Sequence, residues 1–350
     1  MTDRPGVSIV INNYNYGRFV GEAIDSALAQ THPLVEVIVV DDGSTDDSRA
    51  VIESYGDRIV AIFQANAGQV PACAAGFARS RYPIVVFLDS DDRLVPEAAA
   101  RAAADWPATV SKKQFGMRTL NAAGELVDHV WPKYSVDMRP ATVRAELLRS
   151  GFYQCPNTSG NAYAHAFLEA VSPFEDFPSI DGLLNSLAPL YGDVVTEDWV
   201  FAHYRVHGGN RFAVDAVDVD RLAAYVADDD RRLALVERHC ARVGIPFAGR
   251  RVLQNLLGYC ELQVIVARLR AATLADRLHV LRLVGTALRA GGQHPQAMSH
   301  RLLRAAWIVG IGVLPRPVAE ALVRLRYVPS VRPRVLDLLI DLFGRHAVQR

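Results

Sequence analysis

The chain has 350 residues, half of them hydrophobic and 22% charged, with a formal net charge of zero. That size and balance fit a globular protein with one large core or two, and exclude global disorder, a fibrous protein and a dedicated nucleic-acid binder. The zero conceals an asymmetry: residues 1–230 carry 18 Lys+Arg against 32 Asp+Glu (−14), and residues 231–350 carry 20 Arg against 6 Asp+Glu (+14), so the two parts are expected to do different jobs.

Val7–Ile11 is a continuous β-branched apolar run, the pattern of a strand covered on both faces. A polar turn, Asn12-Asn13-Tyr14-Asn15, follows it, and Phe19–Gln30 then sets Phe19, Ala23, Ile24, Ala27 and Leu28 on one helical stripe. Glu36–Val40 is a second buried strand closed by the polar loop Asp41–Asp47, in which Ser44 or Thr45 is placed to cap a short helix. A third strand is expected near Ile59–Gln64, a helix over Val70–Arg81 and a fourth strand over Ile84–Leu88. Strand and helix alternate, so the reading is an α/β domain with a mainly parallel sheet and flanking helices. Residues 105–210 are less periodic. Beyond about Val214, three amphipathic Ala/Leu/Arg-rich helices are predicted over Arg221–Val243, Arg250–Arg270 and Leu274–Ala290. The expected division is a catalytic domain over 1–212 and a basic helical region over 213–350.

No apolar h-region precedes the first strand, and the charge-free run Ala305–Pro315 is too short to span a bilayer, so the expected location is the cytoplasm. Trp307, Ile308, Val309, Ile311, Val313 and Leu314, with Arg301, Arg304, Arg316, Arg324 and Arg326 around them, have the composition of a segment that lies on anionic lipid, on the inner face of the plasma membrane. Solvated arginines paired with the acidic part are the competing reading. Cys73, Cys155, Cys240 and Cys260 form no CxxC pair and read as reduced, buried thiols.

Three loops at carboxyl ends of strands, where α/β sheets bind ligands, are rich in Asn or Asp: 12–15, 41–47 and 89–92. The segment Asp89-Ser90-Asp91-Asp92 gathers carboxylates whose hard oxygens suit Mg²⁺ or Mn²⁺ together with phosphate oxygens. Asp42 is placed to accept a hydrogen bond from a nucleobase edge.

The ordered blocks VSIVINNYN, EAIDSALAQT, VIVVDDGSTDDS, NAGQVPACAAGFARS and IVVFLDSDD resemble family 2 glycosyltransferases with a GT-A fold, over residues 7 to about 98. The resemblance implies an inverting, metal-assisted transfer of a sugar from a nucleoside diphosphate donor, usually UDP-linked, to a saccharide or lipid-linked acceptor in cell-surface polysaccharide or glycolipid synthesis. It implies that Asn12, Asn13, Tyr14, Asn15 and Asp42 hold the base and nucleoside, that Asp91 lies near the ribose and metal, that Asp92 is the direct metal ligand, and that Asp89 completes the acidic triplet. Two departures stand out. The first loop usually reads Pro-Thr-Tyr-Asn, and Cys73-Ala74 replaces a common Arg-Asn, so that Gln69 takes over part of the nucleotide contact.

Looser blocks, CPNTSGNAY, SIDGLLNSLAPLYG and HYRVHGGN, continue the resemblance and make Asp181 the general base. Inverting transfer needs such a carboxylate to take the acceptor proton. Glu175, Asp176, Glu197 and Asp198 are rivals. Arg205 and His207 are candidates for the leaving diphosphate, His207 as a metal-bound imidazole, with the following glycines read as a flexible loop. Thr158, Ser159 and Asn161 are placed to contact sugar hydroxyls or to cap a helix. The competing class is a nucleotide-sugar-binding scaffold without turnover. A nucleotidyltransferase is disfavoured by the lack of a Gly-rich triphosphate loop after the first strand.

Overall fold

A computed structural model describes residues 4–134, 138–207, 218–247, 257–293 and 298–327. Chain contacts divide it into two compact units, one of Met1–Leu148, Phe152–His207 and His239–Ile245, the other of Arg149–Gly151, Gly208–Arg238 and Pro246–Arg350. The expected boundary at 212/213 lies outside the described residues, as do the glycines that follow His207.

The first unit is built on a nine-stranded mixed sheet. In chain order its elements are β1 (Val7–Asn13), α1 (Gly17–Leu28), β2 (Val35–Asp41), α2 (Ser48–Glu53), β3 (Val60–Phe63), α3 (Gln69–Phe77), β4 (Ile84–Asp89), β5 (Arg93–Leu94), α4 (Ala98–Ala103), β6 (Val110–Leu120), β7 (Leu126–Trp131), α5 (Pro140–Ser150), β8 (Asn161–Ala164), α6 (His165–Ala170), α7 (Ile180–Tyr191) and β9 (Asp193–Arg205). The strand order is β3-β2-β1-β4-β8-β6-β9-β5, with β7 on β6. The first four strands are mutually parallel, as their unbroken apolar runs predict. From β8 onward antiparallel pairs enter, β8 against β4 and β6, and β5 against β9.

The core of the parallel half is the inner apolar sets of β1, β2 and β4 against Val20, Ala23, Ile24 and Ala27 of α1, all fully buried. On the other face α3 lies so close that a Cβ on Gly76 would come within 2.3 Å of Val10 Cγ1. Only glycine allows that approach. The expected cap at Ser44 or Thr45 is not made: α2 starts at Ser48, and Ser44 turns instead to Asp41 and Asn15.

The second unit contains most of α8 (Val219–Val243) and all of α9 (Leu257–Arg270), α10 (Leu274–Gln293), α11 (Met298–Val313) and α12 (Arg316–Tyr327). Its core holds Leu233, Tyr259, Ile265, Val284, Ala287, Ile308 and Ile311. Glu261 is fully buried there and takes Arg304 and Arg326, both themselves buried. These two arginines are thus spent on an internal carboxylate.

The expected lipid-facing patch on 305–315 is corrected at two positions. Ile311 is wholly buried, and Trp307 is half-buried, donating Nε1 to Leu322 O at 3.3 Å under the Arg326 guanidinium. They are core residues because α11 turns that side inward. Among the described residues no helix is long and apolar enough to cross a membrane.

Candidate active site

Parallel register brings the polar strand ends together. Asn13 stands opposite Asp41 on β2, and Asn12 opposite Asp89 on β4, so two of the loops flank the first at one edge of the sheet. Asn12 Nδ2 donates to Asp89 Oδ1 at 3.3 Å, and Asn13 Nδ2 donates to Asp41 Oδ1 at 2.9 Å. Asn15, in the left-handed region at φ 56°, accepts Thr45 N at 2.7 Å and donates its own N–H to Ser44 Oγ. Tyr14 is left exposed at the rim.

Asp42 is buried, and its carboxylate accepts Gln64 Nε2 at 2.7 Å, Ala67 N at 2.9 Å and Gly68 N at 2.7 Å. Its direct work in this structure is to hold the loop 64–68, on which Gln69 begins α3. Gly43, at φ 77°, lets that loop close on it, since a Cβ there would stand 2.7 Å from Asn66 N.

The acidic turn is closed by Asp92 N donating to Asp89 O at 3.0 Å. It splits its three carboxylates. Asp92 is fully buried, accepting Ser159 Oγ at 2.6 Å and Arg205 N at 2.9 Å. Burial first, then the charges of Asp91 and Asp89, pushes its pKa well above the ordinary range. Asp89 rises to about 7, again by burial and by Asp91 and Asp181. Only Asp91 turns to the opening. Its Oδ2 lies 3.0 Å from His207 Nε2, with the two side chains 13% and 12% exposed. The imidazole is wedged against Tyr16 and Phe19, at 5.6 and 5.2 Å between ring centroids. The buried Tyr16 hydroxyl is pushed up to about 12 by desolvation and by the three aspartates.

Two sequence expectations are therefore corrected. Asp92 is not placed as the direct metal ligand, because both of its oxygens accept hydrogen bonds inside the protein. Arg205 does not face a diphosphate: it is 1% exposed, its Nε donates to Asp91 O at 2.8 Å, and its Nη2 reaches Glu22 Oε2 at 2.6 Å. It underpins the acidic turn. The donor set that does converge, one carboxylate and one imidazole, fits a divalent ion that keeps positions for diphosphate oxygens and water. Among the described residues no group of three or more His, Cys, Asp or Glu is disposed to hold an ion unaided.

Gln69 links the acidic turn to α7. Its Nε2 donates to Asp89 Oδ1 at 2.8 Å, and its Oε1 accepts Ile180 N at 3.2 Å. Asp181, in the first turn of α7, is thereby set beside the turn, close enough for its charge to raise Asp89. The helix cap is Ser179, which accepts Gly182 N, so capping does not occupy Asp181. Of the rivals, Glu197 is tied to Arg101 and Lys113, and Glu175 to His239 Nε2 at 3.0 Å.

Several residues that shape the site carry no local signal. Ser159, wholly buried, accepts Asp89 N at 3.1 Å while donating to Asp92, so its hydroxyl is not available to a sugar. Asn161 is also wholly buried and donates to Asn157 O. Cys73 replaces a polar helix contact with a weak one, Sγ to Asn12 Oδ1 at 3.6 Å.

Residues 8–108 match the family described as Glycosyl transferase family 2. An uncharacterized glycosyltransferase of Nostoc sp., alr2836, is 38% identical over 216 residues, 58% of this chain and 66% of that protein. The chain belongs to glycosyl transferase family 2. Chondroitin synthase of Escherichia coli is 30% identical over 193 residues, covering 50% of this chain and 28% of that protein. The matches thus span just under two thirds of the first relative and under a third of the second. A crystal structure of Staphylococcus aureus TarS 1-349 in complex with UDP-GlcNAc superposes with a TM-score of 0.57 at 17% identity, over 91% of this chain and 89% of that one. This likeness shows the GT-A fold, with the helical region following it.

Proposed function

We propose that this family 2 protein is an inverting glycosyltransferase that moves a sugar from a nucleoside diphosphate donor to an acceptor hydroxyl, with Asp181 as base and Asp91 and His207 holding Mg²⁺ or Mn²⁺. The observation that carries the reading is the Gln69 bridge, which sets Asp181 beside the only carboxylate of the acidic turn that faces the opening. Tyr14 offers an exposed ring for the base, and Asn12, Asn13 and Asn15 fix the loop that carries it. Asp42 supports that pocket through the loop 64–68. A bound divalent ion would supply the charge that lets the diphosphate depart.

The chemistry asked of the chain is a single displacement. The acceptor oxygen forms a bond to the anomeric carbon as the bond from that carbon to the diphosphate oxygen breaks, and the acceptor proton passes to the Asp181 carboxylate. Burial at the turn strengthens every charge interaction there. A uridine diphosphate sugar is the first choice of donor, the class held by the TarS structure. A saccharide or lipid-linked acceptor accords with a relative named chondroitin synthase.

The test is a thermal-shift panel of the purified protein with UDP, GDP, CDP and dTDP, each with and without Mn²⁺. UDP with Mn²⁺ should raise the melting temperature most. No shift with any nucleotide would overturn the donor assignment.

A further inference from the structure

The second unit leaves one helix face unpartnered. On α10, Leu274, Leu278, Leu281 and Leu288 are between 36% and 74% exposed. Their spacing of four, three and seven residues puts them on one stripe. The opposite face, Val280, Val284, Ala287 and Ala290, is buried in the unit's core. So α10 is apolar on two sides, and packing explains one of them. The stripe continues onto α11 through a groove of about 170 Å³ lined by Ala287, Leu288, Gly291, Met298 and Leu302, with Arg301 at its side. Met298 and Leu302 are themselves exposed.

Charge decides what fits this face. Residues 274–327 contain eight Arg, no Lys and two acidic residues, Asp276 and Glu320. Asp276 caps α10 by accepting Ala272 N and Thr273 N, and Glu320 pairs with Arg316. Arg277, Arg282 and Arg289, all exposed, flank the leucine stripe on both sides. If a second copy of the chain packed α10 against α10, these flanking positions would bring arginine against arginine. A surface that is apolar within and anionic at its boundary satisfies leucines and arginines together.

We infer that the α10–α11 face docks on an anionic lipid surface, with Leu274, Leu278, Leu281 and Leu302 entering the headgroup boundary and Arg277, Arg282 and Arg289 engaging lipid phosphates. The face is not the Trp307–Ile311 side, which is core. The inference does not depend on the transfer reaction.

The experiment is co-sedimentation of the full-length protein with vesicles of phosphatidylcholine, with or without about 30% phosphatidylglycerol, at low and high salt. Binding is expected on the anionic vesicles at low salt, at least about ten-fold stronger than on neutral ones or at high salt. Arg277→Gln/Arg282→Gln/Arg289→Gln should weaken it roughly a hundred-fold, each arginine being worth about five-fold near such a surface. Leu278→Ala/Leu281→Ala should weaken it about ten-fold. Both variants alter exposed side chains and keep helix-forming residues, so their circular dichroism and melting temperatures should match the parent's. Absence of binding, which is also the result if another segment of the chain covers the face, would overturn the inference. So would equal binding to neutral and anionic vesicles, leucine variants that bind as the parent does, or a leucine-dependent dimer by analytical ultracentrifugation without vesicles, which would make a second copy the occupant.

Discussion

Lys112 lies in the middle of β6 with none of its surface exposed. Its Nζ donates to Gln114 Oε1 at 3.0 Å, to Tyr153 OH at 3.2 Å and to Asn185 Oδ1, all neutral oxygens. Burial pushes the ammonium down to about 7, against the smaller opposing pull of Cys155 and Asp181. The sign of the consequence follows from linkage. Between about pH 7 and pH 10.5 the unfolded chain binds a proton at this lysine that the folded chain releases, so stability rises with pH across that window. Each unit is worth up to about 1.4 kcal/mol, giving a ceiling of about 5 kcal/mol over the window and about 3 kcal/mol from pH 7 to 9. Lys112→Met keeps the length and removes the titration. Urea denaturation of both proteins at pH 6, 7, 8 and 9 isolates the effect, because every other group titrates alike in the two. The parent should gain on the variant by about 3 kcal/mol between pH 7 and 9, with the difference levelling off toward pH 6. Parallel stability curves would show that Lys112 keeps an ordinary pKa and that its burial is compensated.

Further outcomes can be checked at the site. Asp181→Asn should lower kcat 10²–10⁴-fold while nucleotide affinity by calorimetry is kept, and Asp198→Asn, exposed on β9, should leave kcat near normal. Excess EDTA should weaken UDP binding, and Asp91→Ala or His207→Ala should reproduce that loss; unchanged turnover in EDTA would remove the metal from the reaction. Ser159→Ala strips one hydrogen bond from Asp92 and orphans Asp89 N, so unfolding free energy by urea titration should fall by roughly 2–4 kcal/mol. Arg205→Ala should cost stability through Glu22 and the carbonyl of Asp91 before it touches donor affinity, which calorimetry on the folded variant can separate.

The parallel half of the fold and the location of the site were legible because both rest on local signals. Continuous apolar runs mark strands covered on both faces, and polar loops at the ends of parallel strands must fall side by side once the register is set. The roles of individual residues at the turn were less so, because they are fixed by partners far away in sequence. Asp92 and Asp91 are adjacent, yet Ser159 and the backbone of Arg205 turn one inward while His207 meets the other at the opening. No spacing rule distinguishes them. Arg205 looked like an anion contact because a cation next to His-Gly-Gly suits one; Glu22, 183 positions earlier in the chain, claims it.

The basic region teaches a related lesson about apolar pattern. Composition marked 305–315 as the membrane-facing segment because it is the most hydrophobic run there, but hydrophobicity by itself does not say whether lipid or the protein's own core receives it. Ile311 and Ile308 go to the core, as a dense apolar run usually does. The stripe on α10 was masked by the opposite tendency. Its leucines alternate with Arg277, Arg282 and Arg289, so its mean character is ordinary, and the same helix already has a buried face that accounts for its amphipathic pattern. A second apolar face on one helix becomes visible only when the first has been assigned to the core. An unexplained leucine row flanked by arginines is then a stronger sign of a lipid contact than the larger hydrophobic run that drew attention first.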